Sequence, residues 1–331
     1  MRALVCKEFG PLENLTVQDV PSPVAAPGQV VVKVHAASVN YPDALMTMGK
    51  YQVRPPLPFI PGGEMSGTII AVGEGVRHLK IGTQVLAFTG RGAFAEEVAV
   101  SADAIVVLEE GVDLGLAAAV PMTYGTTYHA LLDRAQLAAG ETLLVLGAAG
   151  GIGIAAIELG KVLGATVIAA ASSEEKLRAA ASRGADHLID YAKQDLRARL
   201  KEITGDKGVD VVCDPVGGAY SEAALRSTGW GGRYLVVGFA AGEIPRIPLN
   251  LTLLKGNALV GVFYGEFLKR EPRRGVEELT QLLRWVREER IRPLVTSTHS
   301  LETARDALTA VFERRAIGKL LIAPSRESPD S

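Results

Sequence analysis

The sequence predicts an α/β protein of two domains, one of them a parallel sheet covered by helices on both faces. Three observations carry that prediction. The chain has 331 residues, enough for about two domains at roughly 150 residues each. Its first third is a series of short β segments, whereas beyond Pro121 apolar strands alternate with helices. The first of those strands also runs into a glycine-rich turn that opens a helix.

Short Val/Ile/Ala-rich segments bounded by Gly and Pro predict strands over Gln29–His35, Glu64–Val72, Gln84–Phe88 and Ala93–Val100. Pro55, Pro56, Pro58 and Pro61 make the intervening stretch an irregular loop, because proline cannot donate to a sheet ladder. Thr123–Gln136 has helical spacing. Strands are then expected at Thr142–Leu146, Thr166–Ala170, His187–Asp190, Val209–Cys213, Arg233–Val237 and Val260–Phe263. Helices are expected between them at Ile152–Leu163, Glu174–Arg183, Asp195–Thr204 and Tyr220–Ser227. Continuous apolar strands alternating with helices imply a parallel sheet. A helix over Gly275–Arg290 follows, with Leu279, Leu282, Leu283 and Val286 on one stripe. The chain then closes with a short β/α segment ending in Lys319–Ile322, and residues 325–331 read as a polar, frayed end.

Composition removes several function classes. The net charge is −2, from 35 basic and 37 acidic residues, with no polybasic block. A nucleic-acid or membrane-surface binder needs a stronger positive field. Cys6 and Cys213 are the only cysteines, too few for a disulfide framework or a Cys-rich zinc site. The N-terminus has no signal core, and the longest apolar run, Leu143–Ile157, falls short of the ~20 residues of a spanning helix. A cytoplasmic, reduced protein is expected.

The most informative local pattern is Gly147-Ala148-Ala149-Gly150-Gly151-Ile152-Gly153. Glycines let a backbone approach a pyrophosphate, and the helix N-terminus supplies N–H groups and a positive dipole end. The spacing is G-x-x-G-x-x-G rather than G-x-G-x-x-G, so the strand before it and the helix after it carry the reading. The second strand distinguishes the dinucleotide. An NAD site usually ends that strand with Asp or Glu. Here Ala171 is followed by Ser172 and Ser173, which can donate to a 2′-phosphate, and Lys176 can neutralise it. This favours NADP(H). Ser172 also reads as a helix N-cap and Lys176 as a solvated helix residue. Tyr191, after the third strand, is placed to cover the adenine.

At this point the chain resembles the zinc-free NADPH:quinone oxidoreductase (zeta-crystallin-like) branch of the medium-chain dehydrogenases/reductases. The resemblance rests on Ala37–Asp43, Gly49-Lys50-Tyr51, Pro61-Gly62-Gly63-Glu64 with Gly67, and Thr123–Thr127. It extends through the 148–153 loop, Asp214–Gly218, Val237–Ala240 and Ile317–Leu320. It implies a GroES-like β-barrel catalytic domain, residues 1–122 and 265–331, around a Rossmann domain, residues 123–264, with an active site in the cleft. It also implies a homodimer through the edge strand near Ala258–Phe263. Zinc-dependent relatives carry Cys and His where this chain has Ser38 and Gly63, and the five histidines show no ligand spacing. No zinc is expected.

Without a metal, a conjugated acceptor is the easier substrate, since added hydride gives a delocalised anion that a few donors can hold. The expected activity is reduction of a quinone or another α,β-unsaturated carbonyl. Enone, enoyl-thioester or haloacrylate reduction is the alternative, and an NADPH-binding crystallin-like structural or RNA-binding role the other. Tyr51 is the first candidate donor. Asn40 is the second, as a donor or an orienter, and Asn40-Tyr41-Pro42-Asp43 also reads as an N-cap with an acidic third residue, a role compatible with the first. Asp43 reads as an orienter, able to donate only if desolvation raises its pKa. By resemblance Thr126 lies under the nicotinamide, and Gly238, Phe239, Phe263 and Tyr264 line the cofactor. Lys319 reaches the cofactor phosphates or the loop, or is structural. Phe59, Tyr51, Phe239, Phe263 and Tyr264 together suggest a stacking slot for a flat acceptor.

Overall fold

The computed structural model describes residues 1–325; the expected frayed end from residue 326 lies outside the described residues. The chain forms two compact units. One comprises Met1–Met122, Gly265–Arg287 and the chain from Pro293; the other comprises Thr123–Tyr264 and Glu288–Arg292.

The first unit is built on a seven-stranded sheet. Its path runs Val295–His299, Lys319–Ile322, Gln29–Ser38, Glu64–Val72, Gln84–Phe88 and Ile105–Val107, with Glu97–Ser101 paired to Gln29–Lys33. All pairs are antiparallel except the parallel pair Val295–His299 with Lys319–Ile322. The long strand reaches Ser38 rather than His35, which carries the backbone straight to Asn40 and the short helix Tyr41–Thr47. Arg2–Val5 and Thr16–Asp19 form a separate hairpin that the sequence pattern did not reveal. Residues 93–96 leave the expected fourth strand, which starts only at Glu97. The proline-rich stretch forms no strand.

The second unit is a six-stranded, wholly parallel sheet. Its order is His187–Asp190, Thr166–Ala171, Thr142–Leu146, Val209–Asp214, Thr228–Val236 and Ala258–Gly261. Numbered along the chain that is 3-2-1-4-5-6, the doubly wound order whose crevice opens beside the first strand. Leu143, Leu144, Val145 and Leu146 are fully buried, which requires cover on both sheet faces. The helix expected at Thr123–Gln136 is α-helical only to Tyr128 and continues as a π-helix over His129–Arg134. Segment 288–292 is held in this unit by hydrogen bonds to Glu158 and Arg183. Glu158 accepts the Arg292 N–H at 3.0 Å and the Tyr124 hydroxyl at 2.7 Å, and Arg183 donates to the Arg292 carbonyl at 3.0 Å.

The late helix spans Pro272–Arg287 and is preceded by a separate helix, Tyr264–Arg270. Pro272 pre-sets the first turn. Leu279, Leu282 and Leu283 are buried as expected, but Trp285 rather than Val286 completes the inward stripe.

Candidate active site

In the first unit the end of strand Gln29–Ser38 delivers a polar cluster into the interior. Asn40 caps the helix Tyr41–Thr47, and the carboxylate of Asp43 accepts the Asn40 backbone N–H at 2.8 Å. The Asn40 side chain has further partners in the cluster. Its two amide hydrogens go to the Ser38 carbonyl (3.2 Å) and Glu64 Oε1 (2.7 Å), and its Oδ1 accepts from Lys319 Nζ (2.5 Å). Glu64, fully buried at the head of its strand, also accepts Lys319 Nζ at 3.2 Å, while its Oε2 accepts the Met122 N–H at 2.6 Å. Lys319 gives its third donor to the Val39 carbonyl at 3.3 Å.

This arrangement narrows two expectations. Both Asn40 amide hydrogens already have acceptors, which favours its orienting role over donation to a substrate oxygen. For Lys319 the structural reading fits: it is 3% exposed and its three donors serve Val39, Asn40 and Glu64.

Asp43 is 2% exposed, and its pKa is pushed up to about 7. Burial is the main cause and the Glu64 charge adds to it. The Asn40 and Gly62 backbones and Lys319 pull the other way. Half-buried Tyr51 has its pKa raised by burial and by the neighbouring Asp43 carboxylate. Gly63 leaves room beside the acid: a Cβ there would lie 3.5 Å from Asp43 Oδ1.

The same cluster fits a zinc ion poorly. Ser38 offers a hydroxyl, Gly63 offers no side chain, and both Glu64 oxygens already accept hydrogen bonds. An ammonium at 3.2 Å from Glu64 would repel a divalent cation.

In the second unit three turns gather at the C-terminal ends of the central strands. Gly147 has φ +59°, which an L side chain rarely adopts, and a Cβ there would lie 2.6 Å from Val216 Cγ2. A Cβ on Gly153 would lie 2.6 Å from the Ala148 backbone. The helix Gly151–Val162 begins at Gly150 with only the Gly147 carbonyl near the site of a Cβ, at 3.5 Å. The first N–H groups of Gly151, Ile152 and Gly153 have no acceptor within the helix, so this cradle suits a pyrophosphate. Beside it runs the turn after Asp214, whose buried carboxylate accepts the N–H groups of Val216 (2.7 Å) and Gly217 (2.8 Å) and the hydroxyls of Ser221 and Tyr234. Gly238 donates to the Asp214 carbonyl at 3.3 Å, and the half-buried Phe239 ring packs on Gly217.

At the second strand Ser173, not Ser172, is the N-cap, accepting the Lys176 N–H at 3.4 Å. Exposed Ser172 is left for the Lys176 ammonium, which donates to it at 3.3 Å. Tyr191 packs on Tyr220, ring centroids 4.2 Å apart. Thr126 is buried in the helix Thr123–Tyr128. Phe263 is 50% exposed. Tyr264 needs a correction, because its ring is buried against Gly125, where a Cβ would lie 2.6 Å from Cζ. That ring face is occupied by the helix and is not open to a cofactor. Phe59 likewise leaves the expected slot: it is buried in the core and tilts against Phe9 at 6.2 Å.

Glu64 and Asp214 are the buried carboxylates that sequence reasoning missed as organisers. The Asp-Pro-Val-Gly-Gly turn carried a local signal for Asp214, since Asp commonly accepts backbone N–H groups two or three residues on. Glu64 had none, because its partners Asn40, Met122 and Lys319 are 24, 58 and 255 residues away.

Comparison with known proteins matches these features. The alcohol dehydrogenase GroES-like domain matches residues 26–110, and the zinc-binding dehydrogenase domain matches residues 151–287. Quinone oxidoreductase-like protein 2 of Rattus norvegicus is 36% identical over 97% of this chain and 92% of its own length. The human synaptic vesicle membrane protein VAT-1 homolog is 31% identical over 99% of this chain and 87% of its own length. The crystal structure of Escherichia coli quinone oxidoreductase complexed with NADPH superposes with a TM-score of 0.91 at 27% identity, covering 98% of this chain and 100% of that one. The chain belongs to the quinone oxidoreductase-like family of medium-chain dehydrogenases/reductases.

Proposed function

We propose that the protein is a zinc-independent, NADPH-dependent reductase of quinones or closely related α,β-unsaturated carbonyls. The observation that carries the reading is the Asp43–Tyr51 pair, a buried carboxyl titrating near neutrality beside a phenol, in a cluster whose donors do not suit zinc. The quinone oxidoreductase names of the relatives agree with it.

When bound, NADPH supplies the hydride. The 123–264 region serves as the cofactor domain: Gly150, Gly151, Ile152 and Gly153 hold the pyrophosphate, Ser172 and Lys176 the 2′-phosphate, and Tyr191 flanks the adenine. Thr126, Gly238, Phe239 and Phe263 border the remainder. The region 1–122 with 265–331 serves as the catalytic domain. There the Tyr51 hydroxyl gives its proton to the reduced acceptor, and protonated Asp43 replaces it before being recharged from solvent. The acceptor thus gains one hydride and one proton per turnover. A carboxyl with an ordinary pKa could not supply that proton at neutral pH.

The strand Ala258–Gly261 ends the sheet with Leu259 exposed, and Leu253, Leu254 and Trp230 are also exposed in this unit. An unpaired strand edge with apolar surroundings supports a homodimer through it. No helix among the described residues is long and apolar enough to cross a membrane. Two buried free thiols fit a reducing compartment, so a cytoplasmic location is proposed.

The test is the initial rate of NADPH oxidation, with a metal chelator present, across ortho- and para-quinones, enones and enoyl-thioesters. Quinone turnover unaffected by chelation is expected. A strong preference for one enone or thioester would reassign the acceptor, and loss of activity on chelation would overturn the metal-free reading. NADPH binding with no turnover of any acceptor would favour a non-catalytic role.

A further inference from the structure

We infer that Lys319 and Glu64 form a buried positioning pair that sets the working state of Asp43 through Asn40, and that Lys319 makes no contact with the cofactor. The inference rests on the proposed role of Asp43. Four separated stretches of chain meet at this pair. Lys319 heads the last strand, Glu64 heads another, Asn40 joins strand to helix, and Met122 ends the first segment of the unit. Every polar atom in the chain of contacts has a defined partner: Lys319 Nζ on Val39, Asn40 and Glu64; Glu64 on Asn40, Lys319 and Met122; Asn40 on Ser38 and Glu64. The Asn40 backbone N–H then fixes Asp43 at 2.8 Å.

Two consequences follow from elementary electrostatics. An ammonium locked in this way holds the Asn40 amide in one orientation, since the carbonyl oxygen must face Nζ and the NH2 must face Glu64. The backbone N–H of the same residue is thereby held on Asp43. The charged groups acting on Asp43 are also opposed: Glu64 favours its protonated form and Lys319 its ionised form. Tyr51 is the remaining titratable neighbour and is neutral at physiological pH. Removing only the Lys319 charge therefore raises the pH at which Asp43 ionises. Removing both charges reverses that shift, because the effect of Glu64 is the larger of the two.

The experiment uses the full chain and reads two quantities that do not depend on which acceptor is turned over. The first is the NADPH dissociation constant by fluorescence titration. The second is the ionisation midpoint of Asp43 by isotope-edited infrared spectroscopy. Lys319→Met is expected to leave the NADPH constant within about twofold of the parent and to raise the Asp43 midpoint. Lys319→Arg is expected to restore the midpoint. The double variant Lys319→Met/Glu64→Gln, which buries no lone charge, keeps the test available if the single variant does not fold, and its midpoint should lie below the parent's. An NADPH constant weakened tenfold or more in either methionine variant overturns the inference, and so does an Asp43 midpoint that ignores them. An inactive parent enzyme with these binding and titration results intact would defeat the proposed reaction and leave the positioning pair standing.

Discussion

Lys319 and Lys176 are both candidates to meet an anionic cofactor on sequence grounds, yet the fold gives them opposite surroundings. Lys319 is buried on three fixed acceptors, one a carboxylate with no exposure of its own. Lys176 is half-buried at a helix start and reaches the hydroxyl of exposed Ser172. A buried charge has little freedom to change partners, because any partner lost leaves a desolvated group unpaired. A lysine near solvent exchanges water for a phosphate at small cost. The same residue type is thus a fixed part of the frame in one region and a charge near solvent at a helix start in the other.

The largest expected effect tests the buried side of that contrast. Lys319→Met strands the Glu64 charge and should lower unfolding free energy by about 3–5 kcal/mol, as breaking buried pairs does. Chemical denaturation measures this directly, and a loss below about 1 kcal/mol would place the pair in the category of surface bridges. Next in size, Tyr51→Phe should lower kcat by about a hundredfold or more, in the range of a lost general acid, with little change in KM for NADPH. The pH dependence carries a sign. Asp43 is protonated below about 7 and ionised above it, so kcat/KM should fall as pH rises through that value, and Asp43→Asn should remove that inflection. Stability moves the same way. The raised pKa means the folded state holds its proton more tightly, so the contribution is complete below the ordinary carboxylate range and is lost as pH rises through about 7. Asp43→Asn should therefore lose less stability than the parent over that interval.

The two regions also differ in how far sequence could reach them. The parallel sheet and the glycine turn were legible because each is local: strand, turn and helix start follow one another within about thirty residues. Asp43 as a capping acid was legible for the same reason, three residues from Asn40. The frame of Asn40, Glu64 and Lys319 was not, because no periodicity links residues 24 to 279 positions apart. Tyr264 was misplaced for a related reason. An aromatic after a strand suggests a lining ring, but its burial follows from Gly125, a glycine in a helix 139 positions earlier that admits the ring. The N-terminal hairpin was missed because Thr16–Asp19 is largely exposed, so its pattern shows no apolar face.

On the exposed side, Lys176→Ala should raise KM for NADPH by roughly tenfold, about 1.4 kcal/mol, and barely change KM for NADH. Equal effects on both cofactors would remove Lys176 from the 2′-phosphate site. The two serines beside it sharpen the point at the smallest scale. Ser173 spends its hydroxyl on the Lys176 backbone N–H, at a long 3.4 Å, whereas Ser172 meets only the ammonium. Ser173→Ala should therefore cost about 0.5–1 kcal/mol of stability, the low end for an N-cap, and leave NADPH affinity near the parent value. Ser172→Ala should do the reverse, weakening NADPH severalfold with no measurable change in melting. If the two variants behave alike in both assays, the division between a capping serine and a ligand serine fails, and the 2′-phosphate site must be sought elsewhere on the unit.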